Sequence, residues 1–181
     1  RSCLVGSEMC IRDSAYSDQK VFILGDSLTH GFGLSVEEGL VNQLTNWFSG
    51  AGLEVTFING GVSGDTTAGG LERLSWSLTD DVSALVVALG SNDILRGFPP
   101  ETTKENLSAI IEISENNKIP VLLIGTYAPG NYGEQYKSDF DAIFTDLVEE
   151  KNVAYIDSYL KPMLDDAVSY THLRAHETRP Y

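Results

Sequence analysis

Three kinds of residue in this chain have the chemistry to break an acyl bond: a serine on a tight turn, glycines and an amide that can donate to an oxyanion, and histidines that can move a proton. The serine is Ser27, in "FILGDSLTHGFG" (22–33), where an apolar run stops at Gly25 and Asp26. Such a turn can lift a hydroxyl to the top of a sheet and aim it at a ligand. The plainer alternative is that Asp26 or Ser27 only caps a helix, as both residue types commonly do. Two further stretches carry donors. In "NGGVSGDTTAGG" (59–70), glycines 60, 61 and 64 would let the backbone approach a ligand and present N–H groups. In "ALGSNDIL" (88–95), Asn92 could point its amide at the same ligand, or Asn92 and Asp93 could simply bond the local backbone of a turn. Together a hydroxyl, a glycine N–H and an amide form the inventory for acyl transfer: a nucleophile and donors for the developing oxyanion. The spacing around Ser27 is not G-x-S-x-G, which excludes the nucleophile elbow of α/β-hydrolases. The G-x-G-x-x-G of a dinucleotide site is also absent at the first strand.

A serine nucleophile needs a base, and the chain has three histidines: His30, His172 and His176. His30 is three residues from Ser27, too local for a positioned base, and is expected at a pocket rim or in solvent. The other two fall in a stretch with an unusual relation to the N-terminus. If Leu4 to Asp13 are encoded CTC GTG GGC TCG GAG ATG TGT ATA AGA GAC, the reverse complement translates as V-S-Y-T-H-L-R-A-H-E. That is Val168 to Glu177. Met9, which has a single codon, pairs in this way with His172, and Val5 with His176. One DNA element flanking an insert on both sides produces this relation, and the stretch resembles a transposase adapter from library preparation. Residues 1–14 and 167–181 are therefore expected to be non-native scar and are set aside. On that reading neither His172 nor His176 was selected as a base.

The elements that must position these residues lie in 15–166, expected to be one domain. Apolar runs at 20–24, 54–58, 83–89, 120–125 and 153–157 read as strands buried on both faces of a parallel sheet. Helical periodicity spans 37–51, with Leu40, Leu44, Trp47 and Phe48 on one face and Gly52 ending it. It recurs over 101–117, with Leu107, Ile110, Ile111 and Ile113, and over 135–151, with Tyr136, Phe140, Ile143, Phe144 and Leu147. Alternating strands and helices predict an α/β fold with a five-stranded parallel sheet in flavodoxin-like order. Ligands then bind at the carboxyl ends of the strands, where the Ser27, Gly64 and Asn92 loops and "GTYAPGNYG" (125–133) lie.

Composition narrows the partners. A formal charge of −14 argues against nucleic acid, which would need a basic patch. No apolar run approaches the roughly 20 residues that cross a bilayer, so stable membrane insertion is not expected. Both cysteines, Cys3 and Cys10, fall in the set-aside ends, and one remaining histidine makes a metal site improbable. Composition leaves the oligomeric state open.

The three loops, in order, resemble the first three blocks of the GDSL, or SGNH, hydrolase family. The stretch "APGNYGEQYKSDFDAIF" (128–144) is similar to its bacterial thioesterase/lysophospholipase/arylesterase branch. The likeness covers nearly all of 20–166. It implies a three-layer α/β/α sandwich, a serine hydrolase cleaving carboxylic ester or thioester bonds without cofactor or metal, and a small-molecule acyl substrate. It also leans towards a periplasmic or secreted setting. By the resemblance Ser27 is the nucleophile, and its own N–H, Gly64 and Asn92 form the oxyanion hole. The family's fourth block, Asp-x-x-His, is where the chain departs. "YLKPMLDDA" (159–167) offers Asp166 as the triad acid, with the catalytic histidine lost at the junction. Alternatively Asp165 and Asp166 are surface acids on an unrelated turn. Two rival functions remain on the same fold: a carbohydrate O-acetylesterase and a non-catalytic ligand-binding domain.

Overall fold

The β-branched and aliphatic runs do pair into one parallel sheet. In the computed structural model, which describes residues 19–158, the strands are β1 (Gln19–Gly25), β2 (Val55–Gly61), β3 (Ala84–Ala88), β4 (Val121–Ile124) and β5 (Ala154–Ile156). Their order is β2-β1-β3-β4-β5, the flavodoxin-like order, with every neighbouring pair parallel. Gly25 stands opposite Gly61 on one side and opposite Ala88 on the other, so β1, β2 and β3 end level. Three loops therefore leave the sheet at one height, beside the point where the strand order reverses.

The helices are α1 (Ser27–His30), α2 (Leu40–Gly50), α3 (Thr67–Ser77), α4 (Ser91–Leu95), α5 (Pro100–Asn116) and α6 (Glu134–Lys151). α5 begins at Pro100, where a missing N–H costs nothing. α6 ends on Asn152 in the left-handed conformation, φ 50°. Leu74 of α3, Leu107, Ile110 and Ile111 of α5, and Phe140, Ile143, Phe144 and Leu147 of α6 pack with Leu24, Leu85, Val87 and Leu123 into one buried cluster. Each such side chain contributes about 1.5–3 kcal/mol on leaving water. The alternate strand positions Val86, Leu122 and Ile124 face the other way and are only half-buried. Among the described residues that second face is covered best at β1, where Ile23 is 2% exposed.

Two sequence expectations need correction. The helix expected over 37–51 is split: Val36–Glu38 is a 3-10 turn, Gly39 is extended at φ −62°, ψ 146°, and α2 starts at Leu40. Glu38 folds back instead to bond the Ser35 N–H and hydroxyl at 3.2 and 3.0 Å. Trp47 is 68% exposed, and Val41 is the buried residue of the helix. α2 covers β2, the edge strand among the described residues, and among those residues only a narrow stripe of the helix finds a partner. Phe48 takes that stripe by packing edge-on against Phe57 of β2, ring centroids 5.0 Å apart.

Candidate active site

Asp26 sets the turn on which Ser27 sits. It is 3% exposed, follows β1 directly, and its Oδ1 accepts the Leu28 N–H at 3.0 Å as the N-cap of α1. The Asp26 carbonyl takes the His30 N–H at 2.9 Å. Ser27 is the first residue of α1, half-buried, and among the described residues no acceptor takes its own N–H. The capping alternative therefore holds for Asp26, and it leaves Ser27 as the first residue of the short helix. Burial pushes the Asp26 carboxyl above its ordinary value. The Leu28 N–H works against that shift, and the charge of Asp65 adds to it.

α1 can pack down on the sheet only because Gly61 has no side chain: a Cβ there would lie 2.2 Å from the His30 nitrogen. A Cβ on Gly60 would meet the Phe22 ring at 2.4 Å. Both glycines belong to β2 and make room for protein, which corrects the expectation that they approach a ligand. Gly64 is different. It sits in the loop after β2 at φ +78°, a conformation that side chains disfavour, and Arg96 Nη2 donates to its carbonyl at 2.7 Å. Gly69 and Gly70, further along the same stretch, lie in α3.

Gly90, at φ +119°, turns the chain from β3 into α4, and Asn92 is the second residue of that helix. The Asn92 amide donates to the Asp65 carbonyl at 2.9 Å and makes a long contact of 3.4 Å with Asp26 Oδ2. One side chain thus spans from the loop that holds Gly64 to the turn that holds Ser27. Behind it Asp93, 1% exposed, accepts the Thr67 N–H at 3.0 Å and the Thr67 hydroxyl at 2.6 Å, fastening α3 to α4. The structure brings Ser27, Gly64 and Asn92 to one end of the sheet. Asp166, His172 and His176 lie outside the described residues.

His30 is exposed, with Nδ1 3.3 Å from the Gly61 carbonyl, and no hydrogen bond joins it to Ser27 among the described residues. It borders a cavity of about 390 Å³ shared with Leu34, Val36, Val41 and Phe57, which Ser27, Gly64 and Asn92 do not line. A larger cavity of about 450 Å³ lies between α5 and α6, against Lys104, Glu105 and Glu150, and holds none of these residues. Among the described residues no group of three or more His, Cys, Asp or Glu could hold a metal ion, and no helix is long and apolar enough to cross a membrane. Two residues that the motifs did not flag, Asp65 and Arg73, also belong to the site. Their signal is visible only once 67–77 is recognised as a helix, which brings Arg73 back over Asp65.

The profile of the GDSL-like Lipase/Acylhydrolase family matches residues 23–179. An arylesterase of Vibrio mimicus is 35% identical over 167 residues, covering 88% of this chain and 84% of the relative. The thioesterase 1/protease 1/lysophospholipase L1 of Escherichia coli strain K12 is 35% identical over 157 residues, covering 82% and 74%. Among solved structures, AlinE4, an SGNH-hydrolase family esterase, superposes with a TM-score of 0.79 at 33% identity, covering 91% of this chain and 98% of that one.

Proposed function

The chain belongs to the GDSL-like lipase/acylhydrolase family and is an ester-hydrolysing enzyme of the serine type, and from that premise we propose how its residues divide the work. Ser27 Oγ adds to the carbonyl carbon of a small acyl ester or thioester of modest chain length. The carbonyl oxygen takes up negative charge and accepts from the N–H groups of Ser27 and Gly64 and from the Asn92 amide. The bond to the alcohol or thiol breaks, and the leaving group departs with the serine proton. Water then releases the acyl group by the same steps in reverse. The observation that carries this reading is the Asn92 amide, bonded at 2.9 Å to the loop of Gly64 and lying 3.4 Å from Asp26, next to Ser27. The longer contact is weak and can be given up to an oxyanion. The relatives are named as esterases and thioesterases, which favours acyl esters over a carbohydrate O-acetylesterase or a binding domain.

No described residue takes the role of general base. Asp166 is carried forward as the triad acid. We assign no base to the 167–181 stretch, because His172 and His176 are explained by the reverse complement of the N-terminus. The family profile runs on to 179, so the assignment calls for a direct test. Hydrolysis of a p-nitrophenyl ester is followed for this chain and for Ser27→Ala, with and without added imidazole. The expected result is Ser27-dependent turnover that is weak alone and rises about 10- to 1000-fold with imidazole supplied as an external base. Strong turnover without imidazole keeps Ser27 and returns His172 or His176 as the base. No Ser27-dependent turnover under either condition discards the assignment.

A further inference from the structure

Asp65 and Arg73 tie the three donor positions to one another. Arg73 lies two turns into α3, and its Nε donates to Asp65 Oδ2 at 2.7 Å. The same guanidinium donates through Nη2 to the Gly25 carbonyl at 3.2 Å, the last carbonyl of β1 and two residues ahead of Ser27. Gly25 also accepts the Val62 N–H at 3.0 Å, so this carbonyl is already the place where β1 meets the loop after β2. Asp65 follows Gly64 directly. Its Oδ1 accepts the Thr66 N–H at 3.1 Å, and its carbonyl holds the Asn92 amide at 2.9 Å. One guanidinium thus reaches, through a single intervening residue or less, the turn of Ser27, the loop of Gly64 and the anchor of Asn92.

The surroundings are shaped to the pair. The side chains of Arg73 and Asp65 are 18% and 10% exposed, so salt screens them far less than a surface pair. A Cβ on Gly69 would lie 2.0 Å from Asp65 Oδ1, and only glycine leaves the carboxylate its place. Cohesion between α3 and its neighbours comes from elsewhere, from Leu74 in the core cluster and from Thr67 on Asp93.

We propose that Arg73 is a positioning residue for the oxyanion site, setting the spacing of Ser27, Gly64 and Asn92 through its bonds to Asp65 and Gly25. The proposal rests on the assignment of those three residues as nucleophile and donors. The fork of the guanidinium matters, because a lysine keeps the charge but is a point donor and satisfies only one of the two acceptors well.

The test compares Arg73→Lys with the wild-type chain, with Asn92→Ala as the control for the donors and Lys104→Ala as the control for losing a surface ion pair. Three quantities are read: melting temperature, the 15N-resolved signals of the Asn92 side-chain amide and the Gly64 N–H, and kcat and KM of imidazole-supported ester turnover. The expected result for Arg73→Lys is a folded protein whose Asn92 and Gly64 signals move while the amides of Leu107 and Ile110 stay. Its kcat falls on the order of 10- to 100-fold, as misplaced catalytic groups cost, and KM changes little. Lys104→Ala changes none of these signals. Should Arg73→Lys fail to fold, Asp65→Asn keeps the shape and the Asn92-binding carbonyl, and the same signals are read. Unmoved signals and wild-type kcat beside an impaired Asn92→Ala overturn the role of Arg73 and leave the donors standing. An unimpaired Asn92→Ala overturns the donor assignment, and the proposal with it.

Discussion

Asp26 pays a desolvation cost that its position imposes. It caps α1 and stands beside both Ser27 and the Asn92 amide, yet it is nearly buried, and burial raises its carboxyl above the ordinary value. A carboxyl whose folded value is raised binds its proton more tightly in the native state. Its cost to stability is therefore absent below the unfolded value, near 4, and grows as pH rises through the folded one. Asparagine caps as well as aspartate. Asp26→Asn should thus raise the melting temperature, relative to wild type, more at pH 7 than at pH 3.5, as paired thermal melts will report. Equal differences at the two pH values would contradict the burial argument. At this scale the sequence was informative about types and not about roles. Ser27, Gly64 and Asn92 were visible because each stands just past a β-rich run. Gly60 and Gly61 carried the same signal and turned out to serve packing, since nothing in a glycine says whether ligand or protein fills the missing Cβ.

At the scale of elements, the site depends on three strands ending level and on α1 lying flat across β2. The pairing of Gly25 with Gly61 and Ala88 fixes the first condition, and the bare Gly61 fixes the second. Gly61→Ala should cost about 1–3 kcal/mol, the usual price of overpacking a filled site. It should also displace the turn of Ser27, because the obstructing atoms are backbone at Thr29 and His30 and cannot rotate away. A urea titration measures the first effect and ester turnover the second. Unchanged values in both would mean that α1 is not held by this contact. The five strands, their order and the long helices α5 and α6 were legible because their apolar periods are long and unbroken. α3 was not, since Thr-Ala-Gly-Gly at its start has the composition of a loop and its helical character comes from the Thr66 cap and the docking of Thr67 on Asp93. Missing α3 also hid Arg73 and Asp65. The exposure of Trp47 was missed for a different reason. Periodicity shows that a helix has an apolar face, and only the tertiary arrangement shows that an edge strand offers it a narrow seat.

At the scale of the molecule, the residues proposed as nucleophile and oxyanion donors, Ser27, Gly64 and Asn92, lie within 19–158, while Asp166, the acid that the family resemblance implies, lies outside the described residues. The chain carries 26 Asp or Glu against 12 Lys or Arg, and among the described residues His30 alone could serve as an imidazole base. The proposed nucleophile can be addressed whichever group serves as its base, because a reactive phosphonyl fluoride forms its bond with the serine oxygen and loses fluoride in the same step. The most direct measurement is therefore to treat the chain with a fluorophosphonate in the presence of imidazole, digest it, and locate the added mass. A single phosphonyl group on the peptide that contains Ser27, absent from Ser27→Ala and reduced in Asn92→Ala, is the result expected. A label on another serine, or none on Ser27 while the protein is folded, would contradict the assignment of Ser27 as the nucleophile.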